Sequence, residues 1–257
     1  MEISVTIITF NEEEKIEGAI KSVLEIADEI VIVDSFSEDN TVKIAKKYPV
    51  QIYQKRWRDY AEQRNFALEK ASCPWILNID ADERVSPELK KEILNLKDKE
   101  PDCDGFSIPR LTYYLNRWIY HSGWYPDRKV RLFKKQMARW EGKFIHEKLV
   151  FTGKVKKLKN PIYHFSYKNI EEHLSRINKY SSLGARKLYE NGKKARWYHF
   201  IFYPLCRFLK SYIFKLGFLD GFAGFVISVL NGYYIFTRYA KLKEIWKKGE
   251  KIETLSH

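Results

Sequence analysis

The sequence predicts an α/β protein: a mostly parallel sheet flanked by helices, followed by a helical C-terminal extension. Two patterns carry this. Across residues 1–100, four short runs of β-branched and apolar residues alternate with segments whose apolar residues recur every three to four positions. Alternation of that kind builds parallel sheets with right-handed crossovers. With 257 residues, 45% of them hydrophobic, the chain is long enough for one large domain with a sizeable core, or one domain with an appendage.

The elements follow in order. Residues 3–10 (ISVTIITF) are β-branched and end at a polar turn, which reads as a strand. Ile16, Ala19, Ile20, Val23 and Leu24 then fall at helical spacing, with Asn11 a plausible N-cap. DEIVIVDS (28–35) is a second buried strand, EDNTVKIAKKY a helix, VQIYQK a third strand and YAEQRNFALEKA a helix. PWILNID (74–80) is the fourth strand, followed by a helix from Ser86 or Pro87 to about Leu96. From Asp102 the pattern becomes less regular and richer in aromatic residues, with strands at DGFSIPRLTYYLNRW and DRKVRLFKK. NIEEHLSRINKYSSLGARKLYENG is a helix, and an apolar, basic tail follows. Boundaries near 100 and 168 divide the chain into 1–100, 101–168 and 169–257.

Three cysteines, Cys73, Cys103 and Cys206, are widely separated and odd in number, which favours a reducing setting over a disulfide framework. The N-terminus lacks the basic start of a secretory signal. The net charge is +13, and from Arg186 onward fourteen Lys and Arg oppose five Asp and Glu, a local net of +9. An anionic surface is the expected partner of that last third.

WILNIDADERV (75–85) drives a buried strand into Asp80, Asp82 and Glu83. Like charges this close repel, and burying them is costly. A hard divalent cation such as Mg²⁺ or Mn²⁺ removes both problems, and such ions often take one or two carboxylates plus a substrate's phosphates. An isolated D-x-D is more often a solvated turn, so the other strand ends matter. Strand one ends in TFNEE (Thr9, Asn11, Glu12), strand two in Asp34, strand four in Asp80 and Asp82, and the carboxyl ends of parallel strands share one edge of the sheet. There is no G-x-G-x-x-G and no G-x-x-x-x-G-K-[ST], so neither a Rossmann dinucleotide site nor a P-loop is indicated.

TIITFNEE, IVIVDSFSEDNT, YAEQRNFALEKA and WILNIDADERV, in that order, resemble the inverting family 2 glycosyltransferases of GT-A fold, over about residues 1–150. DRKVRLFKK, WEGKFIHEKL and the C-terminal FLDGFAGFVISVLNGYYIFTRYAKLKE are similar to the lipopolysaccharide-core glucosyltransferases that act on an inner-core heptose. The resemblance implies a UDP-sugar donor, with glucose the expected sugar, a lipid-linked saccharide acceptor, and Mg²⁺ or Mn²⁺. It implies that Asp34 recognises the pyrimidine base, that Thr9, Asn11 and Glu12 frame the nucleoside, and that Arg64 approaches the base or pyrophosphate. It implies that Asp82 ligates the metal and that Asp80 contacts the ribose or a metal-bound water. Plainer uses stand beside these: a turn or capping Asp34, and a surface ion pair of Arg64 with Glu62 or Glu69. Glu83 reads as a helix-start charge.

An inverting transfer needs a carboxylate base away from the metal-bound phosphates. Glu147, in FIHEKL, is favoured over Asp127, in GWYPDRKVR; His146 could orient Glu147 or hold the metal or pyrophosphate. A single transfer, rather than polymer synthesis, is expected. Trp124 and Tyr125 could stack on a sugar, although aromatic residues at this density more often form core.

The apolar run 197–236 is interrupted by Arg207, Lys210, Lys215 and Asp220, and its longest uninterrupted stretch, 221–236, contains Asn231. It reads as interfacial helices on an anionic membrane, peripheral on the cytoplasmic face, because a span needs about 20 mostly apolar residues. Two other classes fit the sequence less well. A nucleotidyltransferase would carry a Gly-rich, basic loop after strand one, where TFNEEE is acidic. A nucleic-acid-binding protein would show a recognisable module or a basic N-terminal half, and neither is present.

Overall fold

The structure, a computed structural model, describes the backbone of residues 1–142 and 147–255, and side chains as far as residue 248. The chain forms two compact units, Met1–Leu111 with Pro126–Phe165, and Thr112–Tyr125 with Ser166–His257.

The first unit opens with the expected alternation: β1 (Ile3–Thr9), α1 (Ile16–Val23), β2 (Glu29–Asp34), α2 (Thr41–Ala45), β3 (Gln51–Gln54), α3 (Tyr60–Lys70), β4 (Trp75–Asp80), β5 (Glu83–Val85) and α4 (Pro87–Lys97). Strands pair in parallel in the order β3-β2-β1-β4. All seven residues of β1 are buried, as a central strand covered on both faces requires. Ile3, Val5, Ile7, Leu77 and Ile79 share one core with Ile16, Ile20, Leu89 and Ile93 of the helices. Burying side chains of this size stabilises by about 1.5–3 kcal/mol each. Local sequence sets the helix starts: Asp59 accepts the Glu62 N–H ahead of α3, and Ser86 accepts the Leu89 N–H ahead of α4, with Pro87 at its first position.

Beyond residue 100 come β6 (Gly105–Tyr114), β7 (Arg117–Ile119), β8 (Asp127–Lys134), β9 (Ala138–Glu141), β10 (Lys148–Phe151), β11 (Val155–Lys157) and β12 (Ile162–His164). The sheet turns antiparallel here: β8 lies against β4 and β6 against β8, and the order continues through β12 to β5. β9 and β10 form a separate antiparallel ribbon.

Asn11 does not cap α1. It sits at φ 52°, and its Oδ1 accepts the Glu38 N–H while its own N–H donates to Ser37 Oγ. The chain from 10 to 15 is spent joining the loop after β1 to the loop after β2, so α1 starts only at Ile16.

The second unit contains α5 (Ile170–Glu190), capped by Asn169, then α6 (Tyr198–Leu209), a π-type turn at Lys210–Phe214, a 3-10 turn at Gly217–Asp220, and α7 (Gly221–Leu255). Glycine lets this hairpin close. A Cβ on Gly224 would lie 1.8 Å from the Gly217 carbonyl oxygen, and one on Gly232 would lie 3.0 Å from that of Pro204. The helix that carries the end of the apolar run continues past Phe236 without a break. The segment Gly217–Lys248 is long and apolar enough to cross a membrane by length and composition. α7 is apolar on two faces. Ala223, Ile227 and Leu230 are buried, while Phe222, Phe225, Val229, Tyr233 and Phe236 are exposed in one stripe. A helix whose apolar surface extends well beyond one buried face belongs in a core or in a membrane.

Candidate active site

The register of the parallel strands brings their polar ends together. Thr9 lies beside Asp34, and Ile8 beside Asp80, so the ends of β1, β2 and β4 form one edge. Asp34 is fully buried. Its carboxylate accepts the Ser37 N–H (3.0 Å), the Ser37 hydroxyl (2.5 Å) and, at 3.4 Å, the Gln54 amide. The same side chain therefore shapes the turn after β2. Glu12 donates its N–H to Thr41 Oγ1, and its carboxylate pairs with Lys15 at 3.3 Å.

The D-x-D motif is divided by its partners. Asp80 is gripped by two guanidinium groups, with Arg64 Nη2 2.7 Å from Oδ1 and Arg131 Nη2 3.1 Å from Oδ2. Both arginines also donate to Asn78 Oδ1, each at 3.0 Å, and Asn78 donates to Thr6 Oγ1 on β1. The grip is thus built into the central strands. Burial acts to raise the Asp80 carboxyl, but Arg64 and Arg131 overcome it and hold the group well below the usual carboxylate range. Arg64 stacks on Trp140 at 4.4 Å and is 6% exposed, so it makes neither of the surface pairs considered from sequence. Glu83 is not a helix-start charge. It lies on β5 with no exposure, accepts the Asp80 N–H, and pairs with Arg131 at 2.7 Å and Arg110 at 3.4 Å.

Asp82 meets His164, the last residue of β12, at 3.4 Å. Burial acts to raise its carboxyl, but the imidazole outweighs that and keeps the group below its ordinary value. Arg110 then extends the network outward to Asp127, the first residue of β8, at 2.6 Å. Burial would raise Asp127, and Arg110 and Lys129 hold it low.

Glu147 precedes β10, and its Oε2 is buried without a hydrogen-bond partner among the described residues. His146 lies outside the described residues. Thr9 Oγ1, Arg64 Nε, Arg110 Nε and Trp140 Nε1 are likewise buried and unpartnered. Such atoms are costly, about 1–3 kcal/mol each, unless water or a ligand meets them.

Sequence reasoning missed His164, Arg131, Arg110 and Asn78. A readable signal existed for Arg131, an arginine on the inward side of the apolar strand VRLF. His164 carried a weaker one, a histidine ending the short strand IYH.

The fit to a divalent cation rests on the donor set. Asp82 and His164 offer one ionised carboxylate oxygen and one imidazole nitrogen, and among the described residues no group of three ligating side chains occurs. Mg²⁺ and Mn²⁺ suit such a partial set, because nucleotide phosphates and water supply the remaining ligands.

The model of the family described as glycosyl transferase family 2 matches residues 4–154. An uncharacterised glycosyltransferase of Rickettsia prowazekii (strain Madrid E) is 35% identical, the alignment covering 98% of this chain and 90% of that protein. The lipopolysaccharide core biosynthesis glycosyltransferase LpsC of Rhizobium meliloti (strain 1021) is 33% identical over 93% of this chain and 91% of its own length. Among solved structures, S. aureus TarS residues 1–349 in complex with UDP-GlcNAc superposes with a TM-score of 0.50 at 16% identity, covering 97% of this chain and 92% of that one. That likeness extends to the fold, a GT-A α/β sheet.

Proposed function

The chain belongs to glycosyl transferase family 2, and from that premise we propose that it is an inverting transferase moving a single sugar, glucose, from a UDP-sugar to a lipid-linked saccharide of the lipopolysaccharide-core type. The observation that carries this is the division of labour in D-x-D. Arg64 and Arg131 occupy Asp80 and fix the strand end, which leaves Asp82 beside His164 on the edge shared with Thr9 and Asp34.

Asp34 and Thr9 take the uracil, since a carboxylate accepts from an imide N–H and Thr9 Oγ1 has an unused hydrogen bond. Asn11 and Glu12 hold the loop that frames the ribose. Asp82 and His164 would hold Mg²⁺ or Mn²⁺, which would supply neutralisation of charge on the departing UDP. Asp127 is the base. It accepts the acceptor's hydroxyl proton as that oxygen attacks the anomeric carbon from the face opposite UDP, and inversion follows. Arg110 ties Asp127 to Glu83 and so to the D-x-D cluster, which supports its placement at the site. Glu147 is the second reading, favoured by its unpartnered Oε2.

The similarity to LpsC over nearly the whole chain supports a core-saccharide acceptor. The exposed apolar stripe of α7, with Arg207, Lys210 and Lys215 exposed nearby in sequence, supports attachment to an anionic membrane on its cytoplasmic face, where basic residues each add about 1 kcal/mol. Transfer from UDP-glucose to a heptose-terminated core, followed in wild type, Asp127→Asn and Glu147→Gln, tests the reading. Asp127→Asn is expected to keep UDP-glucose binding and lose roughly 10²–10⁴-fold in transfer. An unimpaired Asp127→Asn beside a dead Glu147→Gln exchanges the two roles, and no transfer from any UDP-sugar by wild type refutes the function.

A further inference from the structure

The segment 112–125 of the second unit holds an acid–imidazole pair that the proposed chemistry leaves unused. Asp220 is 1% exposed, accepts the N–H groups of His121 (2.8 Å) and Tyr120 (3.3 Å), and lies 3.0 Å from His121 Nδ1. With two backbone N–H groups already donating to it, the carboxylate is the acceptor, so Nδ1 donates to it and Nε2 is the ring nitrogen left for another partner. The two backbone donors already anchor the turn; the imidazole is additional, and its side chain is 30% exposed.

The surrounding backbone is held in costly conformations. Ser122 (φ 60°) and Leu216 (φ 53°) are both left-handed without being glycine, and the Ser122 N–H donates to the Lys215 carbonyl to lock the two turns together. Strain of this kind persists where the surroundings over-determine it, commonly at ligand sites. Arg117 Nη2 lies 3.9 Å from Asp220 and donates to the Leu219 carbonyl on the flank of the pair. Tyr120, half exposed, is steadied edge-on by Tyr125 at 5.7 Å. An oriented imidazole nitrogen beside an exposed, braced aromatic ring is the pairing that recognises a sugar: a hydroxyl for the nitrogen and the apolar C–H face for the ring.

We infer that His121 and Tyr120 form a saccharide-binding subsite for the acceptor, with Asp220 as its positioning residue. This rests on the transferase reading above. Two substitutions separate ligand contact from architecture. His121→Asn keeps a donor in the place of Nδ1 and removes Nε2; His121→Gln does the reverse. The probe is a deacylated, heptose-terminated core oligosaccharide, titrated against the full chain with UDP present and followed by saturation-transfer NMR. His121→Asn is expected to weaken saccharide binding about tenfold, with UDP affinity and melting temperature unchanged. Tyr120→Ala is expected to weaken saccharide binding as well, without affecting UDP. Equal saccharide affinity in wild type and His121→Asn overturns the subsite, as does wild type that binds no oligosaccharide. A melting temperature lowered in His121→Asn as much as in His121→Gln makes the histidine an architectural anchor and also overturns it. Wild type that binds the oligosaccharide but transfers nothing to it refutes the proposed function and leaves the subsite standing.

Discussion

Replacing Arg131 with methionine removes the hub of the buried network while keeping most of its apolar stem. Arg131 is 5% exposed and serves Asn78 at 3.0 Å, Asp80 at 3.1 Å and Glu83 at 2.7 Å. Arg64 remains to hold Asp80, so that carboxylate keeps one close partner. Glu83 keeps the Asp80 N–H and Arg110 at 3.4 Å, but loses its closest cation and has no exposure to water. Breaking a buried pair by removing one partner costs about 3–5 kcal/mol, and the surviving Arg110 contact places this case toward the lower end. Urea denaturation at neutral pH reads the loss, and Arg131→Met combined with Glu83→Gln should recover part of it, since the stranded charge is then gone. The pH dependence has a fixed sign. The Asp80 carboxyl is lowered in the folded state, so its contribution is complete above the unfolded-chain value of about 3.9 and is lost as pH falls below it. A loss under about 1 kcal/mol in Arg131→Met, or a double variant weaker than the single, refutes a buried ionic network as the support of the D-x-D strand end.

Two further outcomes are expected. Asp34→Asn leaves the fold intact and weakens UDP binding by about 1–3 kcal/mol, the cost of an unpaired polar group, read by calorimetry; unchanged affinity returns Asp34 to its turn with Ser37 alone. The full chain binds anionic vesicles more tightly than zwitterionic ones, high salt weakens this without abolishing it, and truncation before Trp197 removes it, as flotation would show; retained binding after truncation removes the tail from the account.

Much of the parallel half was legible because its signals are local. β1 to β4 are short apolar runs with clear ends, and Ser86-Pro87 announces α4 directly. The convergence of Thr9, Asp34 and Asp80 followed from parallel topology alone. What sequence could not give was partner choice across the sheet. Glu83 has the local look of a first-turn charge, yet pairing of β12 with β5 places it inside, opposite His164 and against Arg131. Arg64 sits mid-helix between two glutamates, and only the distant strand residues Asn78 and Asp80 explain it. Asn11 fits a capping pattern, but the loop after β2 competes for its side chain and wins. The apolar run ends at Phe236, where charges appear, but the helix does not. Helix propensity and packing against α5, where Lys241 donates to the Asn178 carbonyl, carry α7 onward.

The central claim is that UDP is held through a metal at Asp82 and His164. Thermal unfolding with UDP, measured with Mg²⁺ or Mn²⁺ and then with EDTA, tests it most directly, because a ligand that binds only the folded state raises the melting temperature. The expected result is a UDP-dependent rise in the presence of metal, none in EDTA, and no metal dependence in Asp82→Asn. An equal rise in EDTA, or an unaltered metal dependence in Asp82→Asn, would contradict it.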